Sequence, residues 1–193
     1  MHVLKYPHPI LRHKSKPVKR IDQELRDIIA EMLAVMYADD GVGLAANQVN
    51  LPYRIFVLNT SGKLEQKDDE FVFINPVVIK KKGSAESEEG CLSFPEIYAP
   101  VIRPDEIVIQ GIGLDGQVQE FHWKGFAAKA AQHEMDHING MTFIDRLSPA
   151  NLLAIRDRLD ELEMQFETDR RLKLIPDDEV IVTVIEELES KYC

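Results

Sequence analysis

The sequence His133-Glu134-Met135-Asp136-His137 constrains the fold of this chain more than any other feature. Its two histidines are four residues apart, so on a helix they share one face and both imidazoles can reach one metal ion. Glu134 is displaced from His133 by about 100° around the helix, where its carboxylate reaches a metal-bound water rather than the metal. A general base needs that position. Two surface histidines and a solvated glutamate on an amphipathic helix would give the same pattern, and this alternative stays open.

Two histidines do not complete a catalytic metal site, because a third protein ligand is expected and one position is left to water. A metzincin-like third histidine is excluded, since this chain has Phe143 at the required place. Cys91 is one remaining candidate, because it follows a glycine beside a charged segment and a thiolate is a strong, soft ligand. A glutamate is the other, and three lie on the next predicted helix: Glu161, Glu163 and Glu167.

Residues 41–48 (GVGLAANQ) form a segment of small residues that ends in Gln48. The segment is not a phosphate loop, because it lacks a Lys-Ser/Thr pair and follows a predicted helix rather than a strand. Small residues let another backbone approach closely, and the Gln48 side chain can donate an amide N–H to a developing oxyanion. A turn with a surface glutamine is the alternative.

Taken together, residues 41–48, 89–93 (EGCLS) and 132–137 (QHEMDH) resemble the three signature motifs of the peptide deformylases, in the same order. The resemblance covers roughly residues 1–150, and three ordered motifs are far more specific than H-E-x-x-H alone. It implies an enzyme that removes the formyl group from N-formylmethionyl peptides, the ends of nascent chains, and releases formate.

The resemblance also implies the roles of the site residues. One divalent metal ion is held by Cys91, His133 and His137, with Fe²⁺ as the expected ion and Zn²⁺, Ni²⁺ or Co²⁺ as alternatives. Glu134 takes the proton of the attacking water. The oxyanion is stabilised by the metal together with two donors of the chain: the side-chain amide of Gln48 and the backbone N–H of Leu92.

Helical spacing places Phe126 and Ala130 on the same face as the two histidines, where they can line a pocket for the methionine side chain. Val42 is expected opposite them, and the backbone around Gly43 can pair with the substrate as an added strand. The alternative is that Phe126 and Ala130 are core residues.

An acid beside a metal ligand often holds that ligand in orientation, so Glu89 is expected behind the site with Arg103 as its partner. Both side chains could equally be solvated.

The order of predicted elements indicates an α+β fold. Strands are predicted at residues 53–58, 71–79, 97–102, 106–112 and 117–123, with a polar loop at 61–70 and a charged, flexible stretch at 80–89. Helices are predicted from Asp22 to Gly41, at 125–139 and at 151–167, while 180–184 fits a strand or a helix. We therefore expect antiparallel or mixed sheets around a central helix with the H-E-x-x-H motif, flanked by N-terminal and C-terminal helices.

Acidic and basic residues are unevenly distributed along the chain. The net charge is −10, and residues 150–193 alone hold 12 acids against 6 bases. We expect one catalytic domain over residues 1–168 and an acidic extension over 169–193 whose role the sequence does not indicate. The acidity argues against direct nucleic-acid binding. With only Cys91 and Cys193 and no apolar run that could span a bilayer, a reducing, cytoplasmic location is expected, with no membrane partner. The sequence indicates no oligomeric state.

Two alternatives to a deformylase remain at this point. The first is another H-E-x-x-H metallopeptidase or amide hydrolase whose third ligand is a glutamate from residues 161–167. The second is a structural or regulatory metal-binding domain, which would normally have four protein ligands and no need for Glu134.

Overall fold

Strands occupy the middle of the chain and helices flank it, which confirms the α+β class. The computed structural model describes residues 1–61, 63, 66 and 69–193, so part of the predicted loop at 61–70 lies outside the described residues. The strands are β1 Gly43–Ala45, β2 Ile55–Asn59, β3 Glu70–Lys82, β4 Ala85–Cys91, β5 Phe94–Arg103, β6 Glu106–Ile112 and β7 Val118–Lys124. The helices are α1 Gln23–Ala38, α2 Gly125–Ile138, α3 Pro149–Ala154, α4 Arg156–Arg171 and α5 Asp178–Tyr192.

The strands form two antiparallel sheets. Five strands pair in the order β1-β2-β3-β6-β7, and β4 pairs with β5 in a second sheet. Pro76 lies inside β3, although proline cannot donate a ladder hydrogen bond. The strand accommodates it because the register with β6 shifts between Ile74 and Val77, so no ladder hydrogen bond needs the missing N–H.

At β2 the five-stranded sheet is buried on both faces. Ile55 and Val57 pack with α1, while Phe56 and Leu58 pack with α2. Because successive side chains of a strand point to opposite faces, this alternation places the sheet between the two helices.

The first helix begins and packs as the sequence predicts. The Asp22 carboxylate accepts a hydrogen bond of 2.9 Å from the backbone N–H of Leu25, which satisfies a free donor of the first turn. Its apolar face is buried, with Ile29, Met32 and Met36 in the core under β1 and β2.

Helix α2 lies between the two sheets. Ala128, Ala131, Met135 and Ile138 pack on the five-stranded sheet, and the small alanines allow a close approach. The opposite face of α2 meets β4 and β5 through polar contacts, described below. This arrangement puts the H-E-x-x-H motif in the middle of the molecule.

Two expectations about secondary structure were wrong. The charged stretch at 80–89 is not flexible, since it forms the end of β3 and most of β4, whose backbone pairs with β5 from Ala85 to Cys91. Most of its charged side chains face solvent on one side of that hairpin, whereas Glu89 is directed inward. The helix expected at 151–167 is two helices, α3 and α4, which meet at Ile155. The undecided segment at 180–184 is helical and belongs to α5.

The C-terminal helix α5 packs on the N-terminal arm, the residues that precede α1. Ile181 and Ile185 contact Ile10, and the carboxylate of Glu189 is buried between His13 and Lys16, at 2.8 and 2.6 Å. The boundary expected at residue 168 falls inside α4.

The end of α5 is anchored by Tyr192. Its ring meets Tyr53 edge-on with 5.2 Å between centroids, and its hydroxyl donates to the Asp22 carboxylate at 2.9 Å. The acidic extension thus contacts both the N-terminal arm and the core next to the sheet.

Among the described residues, no helix has both the length and the apolar character that a membrane crossing requires.

Replacing the Tyr192 anchor tests the role of α5. Tyr192→Ala should lower the free energy of unfolding by about 3–5 kcal/mol, because it removes a fully buried aromatic ring. Tyr192→Phe should cost less, about 1.5–3 kcal/mol, the value of one hydrogen bond to a charged group. Val182 is half exposed on the same helix, so Val182→Ala should stay within about 0.5 kcal/mol of the parent. Urea denaturation measures all three, and equal stabilities for Tyr192→Ala and Val182→Ala would show that α5 does not pack on the core.

Candidate active site

Three potential ligand atoms converge where α2 passes the end of β4. The Nε2 atoms of His133 and His137 are 3.2 Å apart, and His137 Nε2 is 3.2 Å from the Cys91 sulfur. In the described part of the chain, these are the side chains whose ligand atoms form a group of three, all within 4.8 Å of one another. Cys91 thus stands where the third ligand is required.

The spacing of these atoms fits a metal ion. With bonds of about 2.0–2.1 Å to nitrogen and 2.3 Å to sulfur, tetrahedral ligands lie roughly 3.3–3.6 Å apart. The observed separations are close to this range. Cys91, His133 and His137 can therefore hold one metal ion and leave a fourth position open.

The glutamates that the sequence offered as a third ligand are engaged elsewhere. Glu163 accepts a hydrogen bond from the Tyr6 hydroxyl at 2.7 Å, and Glu161 pairs with Arg158 on the surface of α4. None of the three glutamates belongs to the ligand group among the described residues. The observation does not support the alternative of a glutamate-ligated metallopeptidase.

Cys91 reaches the site because of the β4–β5 hairpin. The register shifts between Gly90, which pairs with Tyr98, and Cys91, which pairs with Phe94, so the strand bends just before the cysteine. A Cβ at Gly90 would lie 2.5 Å from the ring of Tyr98, so a larger residue would force that ring or the strand to shift. The glycine noted beside Cys91 in the sequence therefore has a packing role.

The electrostatic environment of the site favours a bound cation. Burial opposes a charge on His133, but the adjacent Cys91 and Glu89 raise the pKa of His133 well above its usual value. Burial lowers the pKa of His137 well below its usual value, and the charge on His133 acts in the same direction. The anionic groups that favour a proton on His133 also favour a divalent cation bound by both imidazoles.

Glu134 is buried beside the ligand group. A Cβ at Gly43 would lie 2.5 Å from Glu134 Oε1, so a glycine is needed where β1 passes the carboxylate. The other oxygen, Oε2, is buried without a hydrogen-bond partner in the protein. Burial raises the pKa of Glu134 to about 7. A buried carboxyl oxygen without a partner is costly, and such groups are found at functional sites.

Gln48 is buried rather than at the surface, in a 3₁₀ helix at Ala46–Val49 directly after β1. Its Oε1 accepts the N–H of Ala45 at 2.9 Å, which orients the amide. Its Nε2 lies 3.1 Å from Ser93 Oγ and 3.5 Å from the Cys91 sulfur. The amide donor is thus directed towards the ligand group. Leu92 follows Cys91 in the turn between β4 and β5 and borders the same cavity.

Glu89 and Arg103 form a bidentate ion pair behind His133. Arg103 is 3% exposed and donates to the two Glu89 oxygens at 2.5 and 2.8 Å. Glu89 Oε2 also lies 3.0 Å from His133 Nδ1. Burial alone would raise the pKa of Glu89, but the hydrogen bonds with His133 and Arg103 lower it to about 2. Both groups are charged and paired rather than solvated.

Sequence reasoning missed the continuation of this network. Asp136 accepts from Arg103 at 2.7 Å and from Arg146 at 2.6 Å and 3.0 Å. Asp136 lies within the H-E-x-x-H sequence, so a buried acid one position before His137 was the available signal. On the other side, Asn47 Nδ2 donates to the backbone carbonyl of His137 at 2.5 Å, and nothing local in the sequence indicates that contact.

A cavity of about 690 Å³ opens onto these groups. Four residues expected at a substrate pocket line it: Val42, Gly43, Phe126 and Ala130. Phe126 is 58% exposed, so it is not a core residue. β1 is the edge strand of its sheet, paired with β2 alone in the part of the chain described here, and its other edge borders the cavity.

Comparison with known proteins identifies the family. A family model described as polypeptide deformylase matches residues 1–152. A peptide deformylase of Rhodopirellula baltica is 38% identical over 190 residues, 98% of this chain and 94% of the relative. One of Nitrosococcus oceani is 41% identical over 161 residues, 83% of this chain and 95% of the relative.

Solved structures agree with these sequences. The Plasmodium falciparum peptide deformylase superposes with a TM-score of 0.83 at 35% identity, covering 86% of this chain and 97% of that one. Peptide deformylase 1B of Arabidopsis thaliana superposes with a TM-score of 0.84 at 37% identity, covering 88% and 93%. With the Cys-His-His group and its neighbouring glutamate in place, this chain belongs to the peptide deformylase family, hydrolases that act on N-formyl peptides.

Proposed function

We propose that this chain hydrolyses the formyl amide at the start of nascent chains, converting N-formylmethionyl peptides and water to formate and a free α-amine. The observation that carries the proposal is the position of Glu134. Its carboxyl group is buried without a partner at Oε2, next to three convergent ligand atoms and at the wall of a cavity bordered by an open sheet edge.

The proposed metal ligands are Cys91, His133 and His137. Three protein ligands leave one position for water or substrate, as in catalytic rather than structural sites. When bound, a divalent ion supplies Lewis-acid polarisation of the formyl carbonyl and a water of lowered pKa. We propose Fe²⁺ as the native ion, with Zn²⁺, Ni²⁺ and Co²⁺ as alternatives, since a mixed sulfur and imidazole donor set suits each of them.

Glu134 is the proposed proton carrier. It takes a proton from the attacking water at a carboxylate oxygen, while the oxygen of that water forms a bond to the formyl carbon. It then passes the proton to the amine nitrogen as the C–N bond breaks. A pKa of about 7 allows a carboxyl group to accept and release a proton near neutral pH.

The proposed oxyanion donors of the chain are the Nε2 of Gln48 and the backbone N–H of Leu92. The Gln48 amide is preoriented by its bond with Ala45, so little reorganisation is needed when negative charge develops on the formyl oxygen. Loss of one such donor typically costs about 2.7–4 kcal/mol of transition-state stabilisation.

Substrate selection follows from the cavity walls. We propose that the methionine side chain lies between Phe126 and Ala130 on α2 and Val42 opposite, where apolar contacts exclude water. The peptide backbone then adds a strand to the open edge of β1 at Gly43, a common mode of peptide recognition.

Glu89 and Arg103 are proposed positioning residues. The Glu89 carboxylate fixes the ring of His133 through Nδ1, which leaves Nε2 directed at the metal position. Such partners of a metal ligand typically change metal affinity or activity about 10- to 100-fold when they are replaced.

The two cysteines provide a matched test of the metal site. Cys91→Ser should sharply lower the metal content of anaerobically purified protein, because a hydroxyl is a much poorer ligand than a thiolate. Cys193→Ser should keep the metal content of the parent, since Cys193 lies outside the ligand group among the described residues and its sulfur donates to the Lys16 carbonyl at 3.6 Å. Elemental analysis gives the occupancy and the identity of the ion. Equal metal content in both variants would exclude Cys91 as a ligand.

Glu134→Gln tests the proton carrier. The variant should retain its metal, yet release formate from formyl-Met-Ala-Ser about 10²- to 10⁴-fold more slowly, the usual contribution of an acid–base group. Glu161→Gln is the control, because this exposed glutamate on α4 pairs only at the surface. Turnover at the parent rate by Glu134→Gln would remove the assigned role, and cleavage of internal peptide bonds without formate release would remove the proposed function.

A double-mutant cycle tests the pair behind His133. Glu89→Gln and Arg103→Lys should each lower metal affinity by about 10-fold or more, and the double variant should lose much less than the sum of the two losses. The reason is that the two side chains act on His133 through one bidentate contact. Metal affinity is measured by competition with a chelator. Strictly additive losses would mean that the two residues act independently.

A further inference from the structure

We propose that Lys5 is a positioning residue for deformylation: its ammonium group holds the turn that carries the Leu92 N–H, and thereby fixes one oxyanion donor relative to the other. The proposal rests on the proposed function, because it concerns the geometry of that reaction. Lys5 Nζ donates a hydrogen bond of 2.8 Å to the carbonyl oxygen of Leu92. No feature of the sequence motifs indicates this contact.

Residues 4–6 run between the two segments that supply the oxyanion donors. The backbone N–H of Leu4 donates to the Gln48 carbonyl at 2.8 Å. Two residues on, the N–H of Tyr6 donates to the Ser93 carbonyl at 2.9 Å. One short piece of chain thus joins the end of the 3₁₀ helix to the β4–β5 turn.

This segment is itself held firmly on the far side. The ring of Tyr6 stacks on Phe94, with 4.9 Å between centroids, and its hydroxyl donates to Glu163 on α4 at 2.7 Å. Both ends of the Lys5 backbone are therefore fixed. The reach of its side chain to Leu92 is set by the fold and does not depend on a bound ligand.

Of the two residues in the β4–β5 turn, Leu92 is the one that a contact from another segment stabilises most. Cys91 and Phe94 pair with each other across the hairpin, so Leu92 and Ser93 are the two residues between the strands. Ser93 is held by its backbone bond with Tyr6 and by the Gln48 side chain at Oγ. The Leu92 carbonyl has Lys5 as its partner among the described contacts, and its peptide group is the part of the turn next to the proposed donor.

The effect of losing the Lys5 charge must be separated from the effect of losing its hydrogen bond, because the Lys5 side chain lines the same cavity as Gln48 and Cys91. Lys129 on α2 also lines the cavity and makes no hydrogen bond with the turn in the described contacts. Lys129 therefore separates the effect of charge from the effect of position.

The test compares Lys5→Met, Lys5→Arg and Lys129→Met in the metal-loaded enzyme, with formyl-Met-Ala-Ser as substrate. Lys5→Met should lower kcat about 10-fold, less than the 10²–10³ typical of losing a direct oxyanion donor. Its KM, melting temperature and metal content should match the parent. Lys5→Arg should restore most of kcat because it keeps the charge and the donor, and Lys129→Met should change kcat less than about 2-fold.

A second readout does not depend on turnover. In ¹⁵N-labelled protein, the backbone amides of Leu92 and Ser93 should show faster local motion in Lys5→Met than in the parent or in Lys5→Arg. Unchanged kcat in Lys5→Met, equal losses in Lys5→Met and Lys129→Met, or a change in KM alone would each overturn the proposal. No formate release by the parent enzyme would instead refute the proposed function, so the two failures are distinguishable.

Discussion

The guanidinium of Arg103 is a full charge buried between two carboxylates, and the elements of the site are assembled around it. Glu89 belongs to β4, Arg103 to β5 and Asp136 to α2, while Arg146 adds a further charge from the 3₁₀ helix that follows α2. Removing one partner of such a pair leaves an uncompensated buried charge, which typically costs about 3–5 kcal/mol. These ion pairs fix the position of the β4–β5 hairpin on α2, and that position sets the distance between Cys91 and the two histidines.

The parts of the site that sequence could predict are local. The 3.6-residue period placed His133 and His137 on one face, and the carboxylate of Glu134 beside them follows from the same geometry. Helix α1 and strands β5–β7 were predicted for the same reason, since each is a periodic run between clear boundaries. The charged strand β4 was missed because its partner, β5, supplies the pairing that its own residues do not indicate.

The remaining features depend on contacts between distant segments. Burial of Gln48, the contact of Lys5 with Leu92 and the packing of α5 each join residues that are far apart in the chain. The distribution of charge in space is one feature that the linear sequence does not indicate. The acid-rich end of the chain meets the base-rich beginning, as Glu189 lies between His13 and Lys16. An imbalance along the sequence is thus partly neutralised in space, and the acidic extension is a partner of the N-terminal arm.

A continuous set of contacts connects the C-terminal helix to the segments that carry the proposed oxyanion donors. Helix α5 packs on Ile10 and on the arm around Lys16, and the arm continues back to residues 4–6, which contact both Gln48 and Leu92. Oxyanion donors act only within a narrow range of distance, and a misplacement of about 1 Å can cost roughly 10²-fold in rate. A chain that places these donors on two separate segments needs a third segment to hold them together. In this fold the N-terminal arm contacts both segments that carry the proposed donors, and α5 covers the arm from outside.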